Sequence, residues 1–169
     1  MPTAAHLEIR AHENAEDRIR HSHLIDSVAR RAHLRPARAI AILANLPQLA
    51  LETAHYFADG MYARVVARPK GSVIIGKVHK REHFYVVTKG SIRVSDGATW
   101  REYHAGDVIV SKPGTKRAVL ALEDSICMTV HRTFETDIEA IERELVEDDP
   151  TSMYAVGNTL KTPLIGEGA

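Results

Sequence analysis

Ten histidines are spread along the 169-residue chain. Imidazole is the side chain best suited to hold a transition-metal ion or to move a proton near neutral pH. His79 and His83 lie in the strongest local pattern, between Gly76 and Arg117. Taken by themselves they are either a turn histidine and a half-buried strand histidine bonded to neighbours, or ligands of a metal. His104 precedes a Gly-Asp turn and is expected to be exposed. His21 and His23 look like a chelate, but residues two apart on a helix point in different directions. His6, His12, His33 and His55 have no fixed partner in the sequence and are assigned no site. Lys77, Lys112, Lys116 and Arg117 can form an anion site, since a guanidinium offers two parallel donors to a carboxylate or phosphate. The alternative is that they are solvated charges that protect a sheet edge from unwanted pairing. Cys127 lies in the apolar run Ile126–Val130, where a free cysteine is usually a small core residue. No Gly-x-Ser-x-Gly elbow and no phosphate loop is present, so nucleophilic catalysis has little support.

Composition sets the frame for these groups. Twenty-two Lys and Arg balance 22 Asp and Glu, and 44% of residues are apolar, enough for a real core. The zero net charge is a sum of unlike parts. Residues 1–68 carry nine basic against seven acidic residues, 69–134 carry eleven against six, and 135–169 carry two against nine. A basic middle and an acidic end are expected to meet, within one chain or between copies. One cysteine allows neither an intrachain disulfide nor a cysteine zinc cluster, and an intracellular origin is expected. There is no apolar run long enough to cross a bilayer and no signal-peptide layout. The 5% aromatic content gives no stacking platform for nucleic acid.

Three segments must position these residues. Residues 1–60 are predicted to be helical. Asn14 is placed to cap the first helix, Pro36 separates it from an apolar second helix over 37–46, and a third short helix is expected over 48–58. From Met61 the period changes to two, with Tyr62, Arg64, Val66 and Arg68 alternating against Met61, Ala63, Val65 and Ala67. Short strand-like runs then recur at 72–78, 82–88, 91–95, 99–103, 107–111, 116–122 and 125–132, separated by Gly and Pro turns. Regular short strands with such turns predict an all-β sandwich or barrel over 61–134. Thr136 and Glu139 have the spacing of a capping box before a helix whose Ile138, Ile141 and Leu145 share one face. That helix is acidic on its other face, and 151–169 has no period and resembles an extended arm.

The run Gly76-Lys-Val-His-Lys-Arg-Glu-His83, then Gly90, then Gly106-Asp107 through Pro113-Gly114 to Arg117, resembles the cupin superfamily of small jelly-roll β-barrels. The family's first motif has a His-x-His pair, then Glu, then Gly. Counting back from Gly90 puts His83 at the Glu position, His79 at the second His and Lys77 at the first. Counting forward from Gly106 puts Arg117 where a final His would stand. The resemblance implies a barrel with three His and one Glu around a metal. Lys77 and Arg117 would repel a divalent cation there. It therefore leaves His79 and His83, with His131 from the last strand as third ligand, to hold one divalent transition metal. Glu82 is adjacent to His83 but points the other way by strand alternation. The fold would turn Arg117 inward, within reach of Glu82, Glu102 or the acidic helix. With Phe57–Arg64 and Glu123-Asp124 added, residues 55–145 resemble more narrowly the small cupin-like proteins encoded in tailed-phage and prophage genomes.

Two functions are expected from this. The first is a non-enzymatic structural or assembly protein of a phage particle, in the bacterial host cytoplasm or the virion. It would form a homo-oligomer and contact other phage proteins through its arms. The alternative is a metal-dependent enzyme or binding protein for a small anionic molecule, with the metal on His79, His83 and His131 and the anion on Lys77 and Arg117. A helix-turn-helix sensor over 15–46 is disfavoured by the proline and by the apolar second helix.

Overall fold

The computed structural model describes residues 51–95, 99–150, 152, 154–159 and 161. The helices expected over 1–46 lie outside the described residues. Nine strands follow in chain order: β1 Thr53–Ala58, β2 Met61–Arg68, β3 Val73–Ile75, β4 His83–Lys89, β5 Ser91–Ser95, β6 Trp100–His104, β7 Val108–Ser111, β8 Ala118–Ala121 and β9 Ser125–Arg132. A helix, α1, spans Ile138–Leu145, and a 3₁₀ turn spans Val156–Asn158. All strand neighbours are antiparallel.

Two sheets form, of order β1-β2-β9-β4-β7 and β3-β8-β5-β6. Without β1, the orders β2-β9-β4-β7 and β3-β8-β5-β6 are those of an eight-stranded jelly roll with two Greek keys. The mainly β jelly-roll fold expected from the sequence is thus the fold observed. The turn glycines do part of this work. Gly90 has φ 74°, and a Cβ there would meet the Asp124 carbonyl oxygen at 2.6 Å. Only glycine lets β4 turn into β5 beside the β8–β9 corner.

β1 corrects the third helix expected over 48–58. Residues 53–58 pair residue for residue with β2, from Thr53 opposite Val66 to Ala58 opposite Met61. Asp59 and Gly60, both at positive φ, make the hairpin turn between them. The expected strands at 72–78 and 116–122 are shorter in the structure, because the chain leaves the sheet at Gly76 and enters it again at Ala118.

Period two decides what enters the barrel. β9 buries Ser125, Cys127, Thr129 and His131, while Ile126, Met128 and Val130 are only half-buried. β4 buries His83, Tyr85 and Val87. Tyr85, Val87, Ile92, Val94, Val119 and Cys127 form the inner core, with Cys127 the core residue its apolar strand suggested. A second cluster joins Ile141 and Leu145 of α1 to Tyr62. The helix cap is one residue later than expected. Asp137, not Thr136, is the cap: its backbone is extended, and its carboxylate accepts from the Ala140 N–H at 2.9 Å.

The acidic end meets the basic barrel within the same chain. Lys77 pairs with Glu142 at 2.6 Å, Arg81 with Glu144 at 2.6 Å and Lys116 with Asp149 at 2.7 Å. The expected arm is not fully extended. Tyr154 is buried, and the turn at 156–158 is tied down by Gly157 N–H donating to Glu142 and Asn158 Nδ2 donating to Thr53.

Candidate metal and anion site

Three elements deliver three imidazoles to one end of the barrel. His83 opens β4, and His131 lies near the end of β9. Phe84 faces Val130 in the register, so the residues one step outward, His83 and His131, are cross-strand neighbours on the inner face. His79 belongs to neither sheet. It sits between β3 and β4 and forms an isolated bridge with Val146, just beyond α1.

The three rings pack against one another, with centroids 4.2, 4.8 and 4.4 Å apart; His131 stacks on both others, while His79 and His83 are tilted by 40°. All three residues are buried, and one ring nitrogen from each lies within 4.8 Å of the others. Burial first, then repulsion from His83 and from Arg64, pushes the His79 pKa down to about 2. Burial and the same two neighbours push His131 down to about 3. His83 is lowered by burial, partly opposed by a bond from its Nδ1 to the Arg81 carbonyl at 3.2 Å. A carbonyl only accepts, so Nδ1 carries the hydrogen and the His83 Nε2 lone pair is free. His79 Nδ1 is buried with no hydrogen-bond partner. Neutral buried imidazoles with free lone pairs are the state in which histidine binds a metal. The donor set therefore fits one ion, and three imidazoles suit zinc, copper, iron or nickel.

Tyr62 extends this stack. Its ring lies 6.1 Å from that of His131, and its hydroxyl is 2.8 Å from His55 Nδ1. His55, which the sequence left without a partner, thus backs the cluster from β1. His104 is exposed as expected, 3.7 Å from Glu102.

Behind the histidines lies a cavity of about 80 Å³. The inner face of β2 supplies Arg64 and Arg68, and Arg117 and Lys77 complete the cationic lining. Among the described residues, no Asp or Glu lines it. Lys77 turns toward α1, where Nζ donates to Glu142 at 2.6 Å and to the Ala155 carbonyl at 3.0 Å. It is therefore not the solvated edge charge that the sequence allowed. Arg117 donates to the Ser111 hydroxyl. The carboxylates expected to pair with it are taken elsewhere: Lys112 pairs with Glu82, and Arg93 with Glu102. Tyr154 and Asn158 close the cavity from the C-terminal segment. Arg64, Arg68, Tyr85 and Thr129 were not singled out from the sequence. The signal was present in the alternation of 62–68, but it does not say which of two half-apolar faces turns inward.

The histidine shifts carry a pH dependence. A histidine held neutral by burial binds its proton more readily when unfolded, so stability is complete above about pH 6.5 and falls as the pH drops below it. Each such histidine costs up to about 1.4 kcal/mol per pH unit in that window. Metal-free protein is expected to lose urea resistance steeply between about pH 6 and pH 4. A flat profile across that range would mean that the cluster is already protonated or open to water.

No protein-family model matches the sequence, and no curated protein matches it. Similar solved structures include the KdgF protein of a Halomonas species, at 18% identity and TM-score 0.46, covering 54% of this chain and 87% of that one. A conserved double-stranded β-helix protein of Klebsiella pneumoniae matches at 16% identity and TM-score 0.46, covering 58% and 90%. A cupin-2 domain protein of Shewanella frigidimarina matches at 12% identity and TM-score 0.43, covering 54% and 89%.

Proposed function

We propose that this chain is a metal-dependent cupin-type domain that binds, and turns over, a small anionic molecule inside the barrel. The observation that carries the reading is the cluster of His79, His83 and His131, two of which, His79 and His83, line a cavity with four cationic side chains and, among the described residues, no carboxylate. When bound, a divalent transition ion would supply Lewis acidity at an open coordination position. The rest falls to the chain's own residues. The Arg81 carbonyl fixes the tautomer of His83, Tyr62 backs His131, and Arg117 presents its guanidinium on the His83 side of the cavity. Tyr154 and the 156–158 turn limit access of water. The test is metal analysis of untagged protein after gel filtration. Close to one equivalent of a transition metal per chain supports the reading, and metal-free protein that takes up no added ion defeats it.

A second reading is an assembly block of a phage particle, and its homo-oligomer part alone finds support in a different surface. Phe84, Val108 and Val110 are 52%, 56% and 48% exposed on the outer face of the first sheet. Phe84 lies directly opposite Val110, beside the edge strand β7. A contiguous apolar face next to a free edge is where a second copy docks. Light scattering is expected to give an oligomer that Phe84→Asp converts to monomer with its circular dichroism unchanged. A wild-type monomer at 100 μM, as a rough upper working concentration for a stable assembly, removes this reading.

A further inference from the structure

Two arginines point into a β-barrel at Arg64 and Arg68, four residues apart on β2 with Val66 between them. Turning a guanidinium away from water is costly unless an acceptor replaces the water, and arginine cannot shed its charge. Arg68 is only 7% exposed, yet its Nε and Nη1 have no hydrogen-bond partner among the described residues. The Arg64 Nε also lacks one, and its Nη1 has only a 3.4 Å contact to Asn158. Arg68 lies 5.9 Å from the centroid of the Tyr85 ring, which offsets part of its charge but saturates none of its N–H donors.

The neighbours of these arginines are incomplete in the same way. Thr129 stands opposite Arg64 on β9, and Tyr85 stands opposite Thr129 on β4. The Thr129 hydroxyl is buried with no partner among the described residues, and the Tyr85 hydroxyl has only the weakly bonding Cys127 thiol beside it. One cavity thus gathers two guanidinium groups and these two hydroxyls, with no carboxylate among the described residues of its walls. What is missing is an acceptor with several oxygens and negative charge. The cavity of about 80 Å³ bounds its size. A cavity of ~150 Å³ takes a benzene ring, so this one takes an ion of a few heavy atoms.

We infer that Arg64 and Arg68, with the Tyr85 and Thr129 hydroxyls, form a built-in site for a compact oxyanion, a small carboxylate or phosphate, beneath the three histidines. The inference rests on the proposed metal-site reading only in taking the same cavity as the functional one. It uses residues that the metal does not. The sequence-based anion pair, Lys77 and Arg117, is displaced from this role because Lys77 is already paired with Glu142. An anion here also offsets the repulsion between these arginines and a bound cation. Oxyanion and metal must then tighten each other's binding by the same factor.

The test uses the full chain stripped of metal by a chelator and dialysed. Calorimetric titrations with inorganic phosphate, with oxalate and with neutral oxamide separate phosphate from carboxylate and charge from shape. At least one oxyanion is expected to bind below roughly 1 mM, and oxamide is not. Arg68→Met and Arg64→Met are each expected to weaken binding at least about tenfold. Arg68→Met is further expected to melt at or above the wild-type temperature without ligand, because it removes an unpaired buried charge. It should also lose the rise in melting temperature that the oxyanion gives the wild type. No oxyanion binding to folded wild type, undiminished binding in both variants, or an Arg68→Met that melts well below wild type would each overturn the inference. Oxyanion binding to a chain that takes up no metal would defeat the metal reading alone. Metal uptake without oxyanion binding would defeat this inference alone.

Discussion

His131→Gln is expected to abolish stoichiometric metal binding while leaving a folded barrel. His131 is one of three buried imidazoles whose ring nitrogens lie within 4.8 Å of one another, and among the described residues no carboxylate joins the cluster. Two remaining histidines would hold an ion at least about a hundredfold more weakly, since loss of even an outer hydrogen bond at such sites costs 10–100-fold. Glutamine keeps most of the volume between the rings of Tyr62 and His83, so the core loses little packing. The same variant should also resist acid better, having one fewer neutral histidine to protonate. His79→Gln and His83→Gln should behave alike, and the exposed His104→Gln should change neither property. Equilibrium dialysis at pH 7.5 with matched circular dichroism reads this out. Full metal occupancy in His131→Gln would remove His131 from the ligand set.

The second large effect is expected at Glu142. Its carboxylate accepts from Lys77 Nζ at 2.6 Å and, through its other oxygen, from the Gly157 N–H at 3.0 Å. The side chains of Lys77 and Glu142 are each only 12% exposed. Glu142→Gln leaves the buried lysine with neutral carbonyl oxygens only and no counter-charge, which typically costs about 3–5 kcal/mol. The turn at 156–158 then loses its charged anchor, and Tyr154 its cover. Urea unfolding should show a drop of about 3 kcal/mol, and hydrogen exchange should show faster opening around 154–158. Arg81→Ala, which breaks a pair whose arginine is 57% exposed, should cost no more than about 1 kcal/mol. A double Lys77→Met, Glu142→Leu variant should recover much of the loss. Equal costs for Glu142→Gln and Arg81→Ala would show that burial does not matter to this pair.

The barrel was legible because its turns are written in Gly and Pro and its strands are short. Ser91–Ser95 and Ser125–Arg132 fall at the expected residues, and Lys89-Gly90 marks the turn that sterics demand. Thr53–Ala58 was not legible, because Thr-Ala-His-Tyr-Phe-Ala has no marked period and its partner strand decides its form. His131 could be named from its place on the last strand, but its approach to His79 depends on a bridge to Val146, 67 residues along the chain. Arg64 and Arg68 were hidden by physics of another kind. Hydrophobic patterning would turn Met61, Ala63 and Val65 inward, yet the arginine-bearing face is the one that lines the cavity. A charge turned inward breaks the pattern used to read the sheet, so a site of this type is found only once the walls are in place.

The hold of residue 146 on residue 79 also sets an order in time. The loop carrying His79 is fastened by Lys80 N–H to the Leu145 carbonyl and by Glu147 N–H to the Val78 carbonyl. During chain elongation, His83 and His131 can meet as soon as β9 has left the ribosome. His79 must wait for the next fifteen residues after Arg132, about 1–3 s at ordinary rates of synthesis. The nascent barrel passes through that interval with His83 and His131 paired and His79 not yet docked. A metal held by this cluster would meet all three imidazoles only after that docking.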